Sequence, residues 1–498
     1  MRQLTNEEHN RIVEQYGDVF TTDIYIPTAM RIYRGLLVSA GVLNIFNPTY
    51  YAHRILLVYN IAYDKLEKQF YKYDKDTGIW ETISKEKLLM SIDSDMHYYS
   101  ESIPQINKHR SESKRKNIMN LLMGIAEVEF DKKNNSDFAI HCRNTMLMLE
   151  TNDKILVSNI ESNSNKYLNW TKEDFAPKFG SRNSLNIEYD ANAKCPKFIN
   201  TLLKPAMTED DIETLQLYFG QCLLNRNVSQ TFLLLAGTAG GGKSTLVNII
   251  EGIVGQHNCT ELRLNQLGRP FESGRFQGKS LLTTKEAEPQ SLKYKSANVL
   301  KALTGNDAMT VEGKNSNSVK SIEGSFNIIL ITNASLTIKF SSDIEAWRRR
   351  LLMIRYDNPP PKKRITDLDK KLLKEEGSGI LNWGLEGALK LLNNDGIITK
   401  SERQEKVITD FLDSCEPFQY FAKNFIHEDI DNNITINEVT TTCIKMCQKF
   451  NWPVPPKRAL QKEFHEWMSS HYGSSPRHDI MRNGKAKRGY QGFIIKKK

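Results

Sequence analysis

Nine consecutive residues carry the clearest chemistry in this chain: Gly237, Thr238, Ala239, Gly240, Gly241, Gly242, Lys243, Ser244 and Thr245. They fit the pattern GxxxxGK[ST], in which glycines let a loop wrap closely around a phosphate chain and take positive φ. Converging backbone N–H groups would meet the phosphate oxygens, Lys243 would reach the β- and γ-phosphates, and the Ser244 hydroxyl would ligate Mg²⁺. The ligands implied are ATP and Mg²⁺. Such a site needs an acid at the end of a neighbouring strand, and no aspartate lies between Asp211 and Asp307. Glu286 takes that Mg²⁺- and water-orienting position, with Glu288 beside it. Asn333 follows an apolar run, where its amide could hold the attacking water. Arg348, Arg349 and Arg350 stand just before another apolar run and could supply charge to a phosphate held by a second subunit.

These residues need elements to hold them. Thr231 to Ala236 reads as a buried strand running into the glycine loop, and Leu246 to Ile250 reads as the helix after it. A short strand within 278–284 would carry Glu286, and Phe326 to Thr332 would carry Asn333. Strands alternating with helices indicate an α/β fold. A helical pattern from Asp367 to Leu392 closes this region. Upstream, Thr208 followed by Glu209, Asp210 and Asp211 marks a helix start. Residues 70–83 read as a β-hairpin turning at Gly78.

Taken in this order, the glycine loop, residues 278–288, 326–333 and 343–356 resemble the superfamily 3 helicases of phage and plasmid primase-helicases, relatives of the poxvirus helicase-primase. The resemblance implies an AAA+ motor that acts as a hexameric ring around DNA. It matches Lys243 and Ser244 to Walker A, Glu286 to Walker B and Asn333 to sensor 1. Arg350 best matches the finger reaching into the neighbour, with Arg349 next. It also places a hairpin between Walker B and sensor 1, at Ala308 to Lys320, with Lys314 as the tip contact to DNA and Lys320 as the weaker candidate. Many relatives begin with a primase module. Here the DxD at Asp93-Ser94-Asp95 is read as a candidate two-metal pair.

The expected layout is an α+β N-terminal domain over 1–200, a helical collar over 201–228, a P-loop AAA+ motor over 229–395 and a winged-helix-like basic domain over 401–498. In the last, two helices precede a hairpin turning at Asn483-Gly484, where Arg482, Lys485, Lys487 and Arg488 would meet phosphates while the second helix lies in a major groove. Residues 451–498 hold 11 Lys/Arg and 3 Asp/Glu, so 11 − 3 = +8 of the net +9 lies there. That asymmetry indicates a nucleic-acid-binding end. No run of about 18 apolar residues occurs, which argues against a membrane span. Seven scattered cysteines fit reduced, buried thiols and a cytoplasmic setting in a bacterial host. The expectation is an ATP-dependent replicative helicase acting on single- and double-stranded DNA as a homo-oligomer, with a primase or polymerase partner. The alternatives are an origin-binding initiator that uses ATP only as a switch, and a primase-helicase with its own priming site.

Overall fold

The structure is a computed structural model and describes residues 30–33, 36–39, 42–65, 67–102, 104–128, 138–151, 167–269, 272–284, 291–292, 294–312, 319–333, 337–338, 344–358 and 365–496. They form two compact units. One holds the described residues up to 128 together with Phe175–Arg182; the other holds 138–174 and the residues from Asn183 onward. Residues 138–151, 167–174 and 183–200, read from the sequence with the N-terminal domain, fall in the second unit.

In the first unit the predicted hairpin is present. Gln69–Asp74 pairs with Ile79–Ile83, and Gly78 turns at φ +70°, where an added Cβ would lie 2.6 Å from Phe175. Ile61–Asp64 and Glu127–Val128 complete a four-stranded sheet. Helices Pro48–Tyr59, Lys85–Ser102 and Glu112–Ile125 bury Tyr51, Ile55, Ile92, Met96, Ile118 and Leu122 in one core. Strands Met30–Tyr33, Leu36–Ser39 and Val42–Phe46 form a separate antiparallel sheet.

The second unit is built on a five-stranded parallel sheet. Its order is Cys259–Glu261, Leu281–Thr283, Asn327–Thr332, Phe232–Gly237, Leu351–Tyr356. Period-2 alternation divides the strand residues cleanly. Leu233, Leu235, Ile329, Ile331, Leu352 and Ile354 enter one core; Phe232, Leu234, Ile328, Leu330, Leu351 and Met353 enter the other. A parallel sheet covered on both faces requires such continuous apolar runs. Helices Glu209–Leu223, Lys243–Val254 and Leu368–Asn393 supply the first cover. Helices Tyr294–Thr304 and Glu402–Cys415 contribute to the second.

Two of these helices touch backbone to backbone. A Cβ on Gly220 would lie 2.2 Å from the Ala388 nitrogen, and one on Gly387 would lie 2.1 Å from the Gln216 carbonyl oxygen. A polar clasp joins Glu209–Leu223 to Glu402–Cys415. Arg403 reaches Asp210 at 3.1 Å and Asp211 at 2.5 Å, and Ser401 donates to Asp210 at 2.6 Å. Burial raises the Asp210 carboxyl, but hydrogen bonds from Ser401, Thr208 and Arg403 outweigh it and hold the group at about 2.

Beyond Cys415 the chain runs helix Pro417–Phe425, strand Ile426–Thr435, helices Ile436–Lys449 and Lys457–Tyr472, and strands Arg477–Arg482 and Lys485–Ile495. Strand Lys485–Ile495 lies between the other two. The predicted turn is seen: Asn483 and Gly484 take φ +52° and +72° between paired Arg482 and Lys485.

Gly387→Ala is expected to destabilise the second unit by about 1–3 kcal/mol, because an inserted methyl meets main chain that cannot rotate away. Urea unfolding followed by circular dichroism measures this. Asp210→Asn is expected to lower the melting temperature at pH 7. Since the folded carboxyl titrates at about 2, below its unfolded value of about 3.9, its stabilisation is present above pH 4 or so and fades toward pH 2. The gap between variant and wild-type melting temperatures therefore narrows over that range.

Candidate functional site

The sheet order places a topological switch at the central strand. From Phe232–Gly237 the chain crosses to Cys259–Glu261 at the far edge, returns through Leu281–Thr283 and Asn327–Thr332, and then pairs Leu351–Tyr356 on the other side. Crevices at the carboxyl ends of strands around such a switch are where open α/β sheets take ligands. Residues 237–242 leave that end and run into helix Lys243–Val254.

Three loop glycines hold conformations that a side chain would strain. Gly237, Gly240 and Gly242 take φ of +129°, +83° and +98°. A Cβ on Gly237 would also lie 2.5 Å from the Tyr356 carbonyl oxygen, and one on Gly242 would lie 3.2 Å from Leu202. The loop is anchored by Thr238 N–H donating to Tyr356 O at 3.0 Å. The first N–H groups of the helix have no partner within it, so the loop and helix start form a cradle of donors for an anion.

Lys243 is buried, and burial pushes its ammonium pKa down. It donates to the carbonyl oxygens of Gly237 at 2.9 Å and Thr238 at 2.7 Å, and its Nζ stands 5.6 Å from the Tyr356 ring centroid. The cation is thus held on the loop's own carbonyls over an aromatic floor. Ser244 is exposed one residue further along the helix.

Tyr356 is a feature that sequence reading missed. It is 1% exposed, its hydroxyl has no hydrogen-bond partner among the described residues, and burial pushes the phenol upward. The only sequence signal is its place as the last residue of the strand after the arginines.

The neighbouring strand ends are tied together. Thr284 N–H donates to Ile329 O, and its Oγ1 accepts from Ile331 N–H, both at 2.9 Å. Asn333 is exposed directly after Asn327–Thr332. Glu286 and Glu288 lie outside the described residues, as does Lys314. The hairpin arms Ala308–Glu312 and Val319–Glu323 pair antiparallel, with Lys320 opposite Val311.

The three arginines end helix Ile344–Arg350, which leads straight into Leu351–Tyr356. Trp347 is buried and packs edge-on against Phe232, with ring centroids 6.1 Å apart. In the parallel register Phe232 faces Leu351 and Gly237 faces Tyr356. The arginines therefore sit at the opposite end of the strand pair from the glycine loop, about 17 Å along the strand for five residue steps. Arg348 donates to Thr409 Oγ1, and Arg350 donates to Ala346 O at 3.3 Å, within its own helix. Arg349 is exposed and has no side-chain ion pair or hydrogen bond among the described residues. Lys400, with 9% of its side chain exposed, donates to Arg348 O at 2.5 Å and Arg349 O at 3.4 Å. A buried ammonium thus caps the carbonyl end of the arginine helix, where the dipole favours a cation. Nothing in the sequence around Lys400 signals this.

Two sequence expectations are corrected. Asp93 is held by Arg110 at 3.0 Å and Arg115 at 3.3 Å, and the Arg110 hydrogen bond keeps its carboxyl below the usual range. Asp95 is buried and accepts from the Tyr51 hydroxyl. Two residues apart on helix Lys85–Ser102, the carboxylates diverge by about 200°, so they do not form a two-metal pair. Arg482 is spent on Glu438 at 2.7 Å and on Asn433 Oδ1 at 2.6 Å, so it is not free for phosphate. Lys485, Lys487 and Arg488 are exposed.

All seven cysteines are free and buried. Among the described residues no helix is long and apolar enough to cross a membrane.

Residues 49–204 match a family described as D5 N terminal like, and residues 235–350 match a family of unknown function, DUF5906. An apo structure of the NrS-1 C-terminal region, in its A form, is similar at 11% identity and a TM-score of 0.50, covering 89% of this chain and 99% of that one. A second apo structure of that region gives 13% identity and a TM-score of 0.50 over 90% of this chain and 99% of that one. Each matched region covers less than half of the chain, and the likeness to the NrS-1 region is one of fold.

Proposed function

We propose that the chain is an ATP-hydrolysing DNA helicase of the phage primase-helicase kind, an AAA+ superfamily 3 motor that works as a ring, with six subunits implied by the family resemblance. The second unit contains the P-loop motor, preceded by an α+β accessory module and followed by a winged-helix segment over 417–495. The glycine loop 237–242 with Lys243, Ser244 and Thr245 binds the triphosphate. Ser244 and Glu286 would hold Mg²⁺, which would supply charge neutralisation to the phosphates. Asn333 orients water at the γ-phosphate.

One observation carries the reading. The glycine loop and the arginine cluster stand at opposite ends of two adjacent parallel strands. An arginine so placed cannot serve its own loop, yet it is ready to serve the loop of a neighbour, as a trans finger must. Arg350 bonds within its own helix, and Arg349 has no side-chain partner among the described residues. This favours Arg349 over Arg350, the first choice by resemblance, as the finger, with Lys400 and Thr409 holding its helix in place. Lys314, the DNA contact that the family resemblance implies, carries the strand through the ring, with Lys320 as the weaker candidate.

Lys243→Ala is expected to abolish ATP hydrolysis. Arg349→Ala is expected to lower turnover by about 10³-fold or more while nucleotide binding persists. Mixed together, the two inactive variants should recover turnover, because some interfaces join an intact loop to an intact arginine. Wild-type turnover in Arg349→Ala, or a mixture that assembles but stays inactive, would refute the shared site. Unwinding of a forked duplex separates a motor from an ATP-switched initiator, which would leave the fork closed.

A further inference from the structure

The exposed cations near the end of the chain are distributed unevenly between two neighbouring elements. Helix Lys457–Tyr472 carries three cations and two carboxylates. Lys462 pairs with Glu466 at 3.6 Å, and Lys457 donates to Asn437 Oδ1 at 2.9 Å. Leu460, Phe464, Trp467 and Met468 face the core. The solvent face of this helix is thus close to neutral beyond its first turn.

Strand Lys485–Ile495 has three cations and no carboxylate. Lys485, Lys487 and Arg488 are all exposed, and none has a side-chain ion pair or hydrogen bond among the described residues. Strand alternation puts Lys485 and Lys487 on one face of the hairpin and Arg488 on the other, on the side of Ala486 and Tyr490. Tyr490 bonds His465 of the helix at 2.6 Å, which fixes the hairpin's orientation on it. The tip is a two-residue turn, with nothing within 4 Å of a Cβ built on Gly484. Arg482, directly beside the turn, is held by Glu438 and Asn433. Exposed positive charge therefore lies on both faces of the hairpin near its turn.

Charge on both faces has a geometric meaning. A flat anionic surface would use only one face. Two rows of phosphates, such as those bordering a groove of duplex DNA, would use both at once. Direct base reading from a helix would instead need unpaired donors and acceptors along its exposed middle turns, where Lys462 and Glu466 neutralise each other. We propose that the hairpin 477–495, and not helix Lys457–Tyr472, is the surface by which this chain grips duplex DNA, its two faces taking phosphates from the two backbones beside a groove. Binding is then tolerant of sequence. The inference rests on the reading of the chain as a DNA-acting protein, and it replaces the expectation that the second helix reads a major groove.

The test uses the full chain and short labelled blunt duplexes of two unrelated sequences, without nucleotide. The Lys485→Ala, Lys487→Ala, Arg488→Ala triple variant should lose about tenfold or more in affinity for both. The slope of log affinity against log salt should shrink by about 3, for three lost phosphate contacts. The Arg458→Ala, Lys462→Ala double variant should stay within a factor of about three at this precision. All three hairpin residues are exposed, so unchanged melting curves exclude unfolding as the cause. The inference is overturned if the hairpin variant binds as wild type, or if the helix variant is the one that loses affinity. Hydrolysis of ATP is measured on the same proteins. Its absence in wild type would sink the motor reading, while the duplex comparison would still decide the hairpin.

Discussion

Leu351–Tyr356 lies in parallel register along Phe232–Gly237, and that ladder fixes the distance between the two most reactive features of the second unit. The glycine loop leaves one end of the pair. The arginine helix enters at the other. Neither can shift without breaking the register or the cores on both sheet faces, to which the two strands contribute Leu233, Leu235, Leu352 and Ile354 on one side and Phe232, Leu234, Leu351 and Met353 on the other. Tyr356 makes the coupling tighter. Its carbonyl takes the Thr238 N–H, its main chain crowds Gly237, and its ring lies under Lys243.

Much of this was legible in the sequence. Period-2 apolar runs, a glycine loop and the helix after it are local signals, and each element appears within a few residues of where its pattern places it. The hairpin turning at Asn483-Gly484 is equally local, because few dipeptides accept two successive positive φ values. What stayed hidden depends on contacts far apart in the chain. Asp210 and Asp211 read as a helix start, while their partner Arg403 lies nearly two hundred residues on. Lys400 looks like any loop lysine until the fold brings it beneath the carbonyls of Arg348 and Arg349.

The same difference explains the expectations that failed. Asp93 and Asp95 share a short motif with metal-binding pairs, but a helix turns them apart and gives each a different internal partner. Arg482 counts as one more cation in a basic segment. In the fold it braces a strand end against the first turn of helix Ile436–Lys449, where Glu438 also closes a capping box with Thr435. Composition reports how much charge a segment has; only tertiary structure reports how much of it is still available.

The crossing of Glu209–Leu223 with Leu368–Asn393 has a mechanical consequence. Packed helices ordinarily slide past one another on a layer of interlocking side chains. Around Gly220 and Gly387 that layer is missing, and main chain rests on main chain. The two helices are welded rather than geared. Whatever stroke this unit makes, the pair travels as one beam, and bending has to be taken up at its ends, in the short connections around 205–208 and 394–400.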